Sequence, residues 1–323
     1  MNRVCITGGA GFIGSNLADA LSASDIEVVV VDDYRTGRPE FVQLLLAKPT
    51  NRLIEGDILN PEVLIEAFHG CDWVFHLAAN ADVRHGLEHP TLDLEQNAVA
   101  TSRILEAMRC AGVHRIAFSS TGSIYGEPEV FPTPEDAPFP VQTSLYGASK
   151  LAAEGLIEAY ASGFGFTGVI FRFVSILGER YTHGHVYDFF RSLRRNPNVL
   201  PVLGDGMQQK SYLYVQDCVA AMILSANHHA DQPGAFIYNL GHEDTLLVRD
   251  SVEIITRRLG LHPEIRFGGG QRGWVGDSPL IQLDTSRIRS LGWKPTKSIR
   301  ESVELTVSWL EENPYAWQEE EPS

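Results

Sequence analysis

Tyr146 and Lys150 could together form a catalytic base. They lie four residues apart in a stretch that predicts a helix from Ser144 to about Ala161, and such residues leave the same helix face. A phenol titrates at roughly pH 10 when unperturbed, and an adjacent ammonium favours the phenolate. Coming just after the strand-end hydroxyls of Ser119 to Thr121, the pair is interpreted as a general base. A chance pair on a surface helix is the alternative.

A glycine-rich turn follows the first apolar strand, Val4 to Thr7. Its glycines fit two dinucleotide-binding spacings, Gly9-Gly11-Gly14 and Gly8-Gly11-Gly14. Glycine there lets the backbone approach a pyrophosphate, and the next helix directs its N-terminal amides at the phosphates. The turn therefore predicts a dinucleotide site, with an ordinary helix-packing turn as the alternative.

Acidic residues follow the next strands. Asp32 and Asp33 end the strand from Glu27 to Val31, where a carboxylate accepts hydrogen bonds from the ribose and repels a 2′-phosphate, which favours NAD over NADP. The loop that contains Thr36 is expected over the adenosine. Asp57 ends a third strand, where it either contacts the adenine or caps the helix from Pro61 to Phe68.

Strands and helices alternate through Phe171, with a further helix from Thr91 to Cys110. This pattern predicts an α/β fold, a Rossmann-type doubly wound parallel sheet. Residues 1–173 are expected to form the NAD-binding domain, to which later chain could return. Residues 174–323 are expected to form mainly a smaller α/β substrate-binding domain.

Composition excludes several functions. The net charge of -15 disfavours nucleic acid as a partner. The four cysteines are widely spaced and predict neither a zinc site nor a redox pair. The first strand begins near Met1, and no apolar run is long enough for a membrane span, so a cytoplasmic protein is expected. His183 and His185 alternate, but no third ligand is placed beside them, so no metal is predicted.

Several motifs together resemble the extended short-chain dehydrogenase/reductases. More narrowly, the chain resembles their nucleotide-sugar epimerase/dehydratase branch, of which UDP-glucose 4-epimerase is the type member. The motifs are Thr7-Gly8-Gly9-Ala10-Gly11-Phe12-Ile13-Gly14, Gly56-Asp57, His76-Leu77-Ala78-Ala79, Ser119-Ser120-Thr121, Tyr146-x-x-x-Lys150, Arg172-Phe173, Gly204-Asp205-Gly206-Met207-Gln208, Tyr214-Val215-Gln216-Asp217 and Leu291-Gly292-Trp293-Lys294-Pro295.

The resemblance implies NAD as cofactor and a nucleotide sugar as substrate. The expected cofactor-binding residues are Gly8, Gly11, Phe12, Ile13, Gly14, Asp32, Asp33, Thr36, Asp57, Ile58, Leu77, Ala78, Ala79, Asn97, Ser119, Tyr146, Lys150 and Phe173. The expected substrate-binding residues are Thr121, Ser175, His185, Pro201, Leu203, Lys210, Arg272 and Asp277.

The resemblance also implies a reaction. Tyr146 would take the proton of the sugar 4-hydroxyl, helped by Lys150 and Thr121, while the C4 hydride passes to NAD. The dehydratases of this branch carry an Asp-Glu pair after the threonine, and the decarboxylases also use a Glu there. This chain has Gly122 and Ser123, so return of the hydride to the opposite face, which is 4-epimerisation, is the expected outcome.

Three departures bear on the substrate. Ser175 stands where the family has an asparagine, Lys210 replaces an arginine, and the spacing of Arg272 to Asp277 is long. Lys210 and Arg272 would still neutralise a diphosphate. The loop near His185 lacks the arginine that uronic-acid epimerases use, which favours a neutral hexose such as that of a UDP-hexose, although Arg84 could serve instead.

Two other functions stay open from the sequence: a 4-ketosugar reductase or related oxidoreductase, and a non-catalytic NAD-binding protein. The resemblance also implies a homodimer that pairs the helices Thr91 to Cys110 and Tyr146 to Ala161, although apolar residues on their outer faces could equally be core.

Overall fold

The computed structural model describes residues 1–80, 88–139, 141–273, 278 and 280–318. Its strands are β1 (Arg3–Thr7), β2 (Glu27–Asp32), β3 (Arg52–Glu55), β4 (Trp73–His76), β5 (Arg115–Thr121), β6 (Thr167–Phe173), β7 (Ser175–Leu177), β8 (Val199–Val202), β9 (Gln209–Lys210), β10 (Tyr212–Tyr214), β11 (Gly234–Leu240), β12 (Leu246–Leu247), β13 (Glu264–Phe267) and β14 (Leu280–Ile281).

The helices alternate with these strands. They are α1 (Phe12–Ala23), α2 (Gln43–Leu46), α3 (Pro61–Phe68), α4 (Pro90–Asp93), α5 (Ala100–Ala111), α6 (Leu145–Phe164), α7 (His185–Arg195), α8 (Val215–His228), α9 (Val248–Leu259), α10 (Ser286–Arg289) and α11 (Ile299–Glu312). Short 3-10 turns cover Pro39–Val42, Gly122–Tyr125 and Pro314–Ala316.

The main sheet has the order β11-β6-β5-β4-β1-β2-β3 in the described chain, and its neighbouring strands are parallel. Strand order reverses beside β1, which lies between β2 and β4, and ligands bind at such a switch point outside the carboxyl ends of the strands. The predicted Rossmann-type fold is confirmed.

Both faces of this sheet are buried, which explains its continuous apolar strands. In β2, Val28 and Val30 contribute to one core cluster, while Val29 and Val31 contribute to the cluster on the other face. Helices therefore cover the sheet on both sides and leave its carboxyl edge as the open side.

The second half of the chain also forms smaller sheets. They have the orders β12-β9-β14, β10-β7 and β13-β8. The chain also returns once to the main sheet, where β11 pairs with β6. The boundary between residues 173 and 174 stays a prediction.

The helix predicted from Thr91 to Cys110 is not uniform. It is α-helical over α4 and α5, but the six residues Leu94–Val99 between them are π-helical. Such segments are rare and frequent at functional sites. Asn97 lies in this one.

The cap of α3 is Asn60, whose side chain accepts a hydrogen bond from the Glu62 amide at 3.0 Å. The alternative prediction that Asp57 caps this helix is wrong. Asp57 instead accepts from the Leu59 amide at 2.8 Å, within the turn that precedes the helix.

No helix within the described residues is long and apolar enough to cross a membrane.

We expect Asn60→Ala to lower the free energy of unfolding by about 1 kcal/mol, because α3 loses its N-cap. Asp57→Asn is the matched control, since an amide oxygen can still accept from Leu59. Urea unfolding of both variants measures the difference. An equal loss in the control, or none in Asn60→Ala, would contradict this assignment.

Candidate active site

Backbone atoms pack tightly against the glycine-rich turn and leave no space for side chains at two of its glycines. Gly8 has φ +72°, and a Cβ there would lie 2.6 Å from the Ala78 amide nitrogen. A Cβ at Gly14 would overlap the Gly8 carbonyl oxygen. Of the two spacings in the sequence, Gly8-Gly11-Gly14 is therefore the one that contains both the left-handed residue and the closest backbone contact between α1 and the turn. This arrangement suits a pyrophosphate at the start of α1.

Two acidic residues after β2 have different surroundings. Asp32 is buried and accepts from the Ala10 and Tyr34 amides, both at 2.9 Å, so it holds the glycine turn in place. Burial raises the pKa of Asp32. Asp33 is exposed and pairs with Arg35 at 2.8 Å, and Arg35 also lies 3.5 Å from Asp57. These carboxylates line the side where an adenosine is expected.

The other predicted cofactor residues lie around the same edge. Phe12 is buried and Ile13 half-buried at the start of α1. Leu77, Ala78 and Ala79 follow β4 and are half-buried, with the Leu77 amide donating to Thr7 at 3.0 Å. The remaining members are Thr36, which is exposed, and Ile58 and Phe173, which are buried.

The carboxyl end of β5 meets the first turns of α6. Lys150 Nζ donates to the Ser119 carbonyl at 2.8 Å, and Lys150 is 1% exposed. Thr121 Oγ1 lies 3.2 Å from Ser123 Oγ and accepts from the Ser123 amide. The α6 cap is Ser144, which accepts from the Gly147 amide at 3.0 Å and so fixes where the helix carrying Tyr146 begins.

Burial dominates the protonation of this pair. It raises the pKa of Tyr146 to about 12; the Asp93 carboxylate adds to the shift, and a hydrogen bond with Thr121 opposes it. Burial lowers the pKa of Lys150 to about 7, opposed by Glu154 and Asp93. The expectation that the adjacent ammonium lowers the pKa of Tyr146 is wrong here, because the ammonium is bound to Ser119 and burial is the larger effect.

The π-helical segment links β4 to α6. Asn97 is 1% exposed, accepts from the Asn80 amide at 3.1 Å and donates to Ser149 Oγ at 2.9 Å. Ser149 Oγ in turn donates to the Tyr146 carbonyl at 2.8 Å. Asn97 therefore connects the loop after β4 with the helix of the candidate base.

His76 is a core residue at the end of β4. It is fully buried, and its ring nitrogens lie 2.8 Å from Thr7 Oγ1 and 3.1 Å from Thr101 Oγ1. Burial lowers its pKa well below the usual value.

Predicted substrate residues from the second half of the chain fall into two groups. In the first, His185 begins α7, and its ring lies 4.9 Å from that of Tyr212 and 3.1 Å from Ser251 Oγ. Burial and the charge of Lys210 lower the pKa of His185 to about 3, so the ring is neutral. Ser175 joins this group, since it pairs in register with Tyr212.

The second group lies around β8 and the segment after β13. Pro201 and Leu203 are exposed, and the backbone of Arg272 lies near Gly204. Arg272 forms an ion pair with Glu127 at 2.6 Å, which joins this group to the loop after β5. Asp277 lies outside the described residues, as does Arg84.

Several buried polar residues, among them Asp93, Glu154 and Asn239, were not singled out in the sequence. These three are each at most 2% exposed. Glu154 follows Lys150 by four residues, so helical spacing from Tyr146 could have found it. Asp93 and Asn239 carry no such pattern, because their partners come from other elements.

The described residues contain no group of three or more His, Cys, Asp or Glu side chains placed to hold a metal ion.

Comparison with known proteins agrees with this geometry. Residues 4–241 match the NAD dependent epimerase/dehydratase family, which is more than half of the chain. The protein belongs to this family, whose cofactor is NAD, and the chain is that of a nucleotide-sugar epimerase/dehydratase.

Particular relatives are similar over nearly the whole chain. A UDP-glucose 4-epimerase of Mycolicibacterium smegmatis is 30% identical over 95% of this chain and 98% of its own. A crystal structure of a UDP-galactose 4-epimerase has 38% identity and a TM-score of 0.86, covering 96% of this chain and 99% of its own. UDP-glucuronic acid decarboxylase 1 of Arabidopsis thaliana is 30% identical over 95% of this chain and 69% of its own.

We expect Gly8→Ala to weaken NAD binding by more than about ten-fold, because the new methyl group must displace the Ala78 backbone. Gly112→Ala is a matched control: Gly112 has φ +73°, and nothing lies within 4 Å of its Cβ position. It carries a similar backbone cost of about 1 kcal/mol without the overlap. Calorimetric titration with NAD separates the two, and equal affinities would contradict the assignment.

Proposed function

We propose that the protein is an NAD-dependent NDP-sugar 4-epimerase acting on a UDP-hexose through a transient 4-keto sugar. The family membership sets the cofactor and the substrate class, and the residues around Thr121 support the choice of reaction.

The turn after Thr121 is the observation that carries this proposal. Elimination or decarboxylation needs further acid–base groups, and the positions after Thr121 hold Gly122 and Ser123. A Cβ at Gly122 would lie 3.3 Å from the Phe173 carbonyl oxygen and 3.4 Å from Leu283. A side chain at position 122 would therefore need a small shift of these neighbours, and reversal at C4 needs no carboxylate there.

In this proposal Tyr146 takes and returns the proton of the 4-hydroxyl, and the Thr121 hydroxyl bonds the same sugar oxygen. Lys150 holds the strand end and contributes positive charge when protonated. Oxidised NAD, when bound, supplies a positive charge that favours the phenolate and accepts and returns the hydrogen of C4. The roles of the other cofactor-binding residues remain those expected from the sequence.

The remaining residues would bind the nucleotide diphosphate. Lys210 and Arg272 are the proposed cations, and the neutral ring of His185 lies next to Lys210, where it adds no charge. Glu127 pairs with Arg272, so a bound diphosphate would have to share or replace that contact.

We expect Tyr146→Phe to lower kcat for UDP-sugar epimerisation by about 10²- to 10⁴-fold, because a positioned general base is lost. Tyr160→Phe is the control, since Tyr160 lies on the same helix and bonds the surface carboxylate of Glu106. NMR of UDP-glucose, UDP-N-acetylglucosamine and UDP-glucuronate, at the anomeric and H4 signals, measures turnover.

If the wild-type protein leaves every sugar nucleotide unchanged and Tyr146→Phe alters nothing, the enzyme proposal fails in favour of a non-catalytic NAD-binding protein. Stoichiometric oxidation or reduction of the cofactor would instead identify a ketosugar reductase or other oxidoreductase.

We also propose a homodimer through the outer faces of α5 and α6. Gly155 lies on the outer side of α6, with nothing within 4 Å of its Cβ position. Gly155→Arg should therefore leave the monomer folded but convert the dimer to a monomer in sedimentation velocity. Leu44→Arg, at an exposed residue of α2, should stay dimeric. A wild-type protein that sediments as a monomer would rule out the dimer.

A further inference from the structure

A row of buried polar side chains crosses three strands of the main sheet, each one residue before the carboxyl end of its strand. Ser120 on β5 and Asn239 on β11 are both register partners of Arg172 on β6. All three are at most 2% exposed. Side chains at the same level of neighbouring parallel strands point to the same face, so the row forms one continuous group.

Glu154 of α6 binds two residues of this row, Arg172 and Ser120. Its carboxylate accepts from Arg172 Nη2 at 2.8 Å and from Nε at 3.2 Å, and it also accepts from the Ser120 hydroxyl. Glu154 lies on the helical stripe of Tyr146 and Lys150. Residues one helical turn apart on α6 therefore bind consecutive residues of β5: Lys150 binds the Ser119 carbonyl, and Glu154 binds the Ser120 hydroxyl.

The row continues into the second half of the chain. Arg172 Nη1 donates to Tyr125 Oη at 2.7 Å, and Tyr125 Oη donates to Asn239 Oδ1 at 2.9 Å. Asn239 Nδ2 then donates to the carbonyls of Thr133 at 2.9 Å and Asp284 at 3.2 Å.

These hydrogen bonds hold two elements next to the proposed substrate residues, the turn Gly122–Tyr125 and the segment after β14. Tyr125 ends the turn that begins after Thr121. Asp284 follows β14, which pairs with the strand of Lys210. The same buried guanidinium thus connects the candidate base and the candidate diphosphate cation.

We propose that Glu154, paired with Arg172, is a positioning residue for the reaction: it sets α6 against the end of β5 and places its carboxylate one helical turn from Lys150, where it favours the ammonium. This inference rests on the proposed epimerase function.

The charges around Lys150 give the sign of the effect. Within the described residues, Glu154 and Tyr146 face it from α6, Asp93 from α4, and His76, buried and neutral, from β4. Arg172 lies behind Glu154. Removing the Glu154 charge takes away the main group that raises the pKa of Lys150 and leaves Arg172 unpaired, so the ammonium should be lost at lower pH.

The test compares Glu154→Gln with Glu154→Asp, which keeps the charge. We expect Glu154→Gln to lower kcat about 10- to 100-fold with little change in KM, since a small displacement of the base has this order of effect. The alkaline limb of the kcat profile should move to lower pH. Glu154→Asp should restore the position of that limb.

A second variant separates charge from packing. Removing one partner of a buried ion pair leaves an unpaired charge and destabilises the fold, whereas replacing both with apolar residues is often tolerated. Glu154→Leu with Arg172→Met should therefore fold and still show the lowered kcat and the shifted limb. Asp19→Asn, which breaks the partly buried pair with Arg180, should match the wild type.

A measurement without turnover completes the test. The chain has five lysines, so ¹³C-labelled lysine NMR can follow Lys150 in the cofactor-free protein, with Lys150→Met for assignment. We expect its pKa to be lower in Glu154→Gln and in the double variant than in the wild type.

Wild-type pH profiles and an unchanged Lys150 titration in the folded double variant would overturn the inference while the epimerase proposal stands. If the wild type turns over no sugar nucleotide, the proposed function fails, and the Lys150 titration still decides whether Glu154 controls its charge.

Discussion

The arrangement around the candidate site depends on the buried guanidinium of Arg172. Arg172 is 2% exposed near the carboxyl end of β6, where an unpaired guanidinium would cost several kcal/mol. Glu154, Tyr125 and the Glu135 carbonyl at 2.8 Å satisfy it together. Its Cζ atom also lies 5.0 Å from the ring centroid of Tyr125 and 5.2 Å from that of Phe139, which adds a cation–π interaction with each ring. The need to satisfy this charge brings together a helix, two strand ends and the long loop after β5.

Features that depend on local chemistry could be predicted from the sequence. The turn at Gly8 needs a left-handed backbone, and the alternation of strands and helices needs a parallel sheet, so both follow from residue types and spacing. The spacing of Tyr146 and Lys150 likewise follows from helix geometry. Where two neighbouring polar residues compete locally, as Asp57 and Asn60 do for the α3 cap, spacing alone could not choose between them.

Features that depend on burial could not be predicted. Desolvation of the phenol raises the pKa of Tyr146 and the Asp93 carboxylate adds to the shift. Both effects come from residues outside the stretch around Tyr146, so that stretch alone could not predict them. From the sequence alone, Glu154 would be taken for an exposed helix residue, because its ion pair with Arg172 of β6 forms only in the folded structure. The π-helical segment at Asn97 is also a tertiary effect, since the Asn97 side chain binds both the loop after β4 and α6.

The proposed 4-epimerisation requires that hydrogen leaves C4 of the sugar and returns to the same carbon, with no other carbon altered. Incubating the enzyme with UDP-[4-²H]glucose in ordinary water, and following the sugar by NMR, tests it most directly. We expect the C4 epimer with deuterium retained at C4 and no net change in the cofactor. Stoichiometric accumulation of reduced cofactor, or exchange of hydrogen at C5 with solvent, would contradict it.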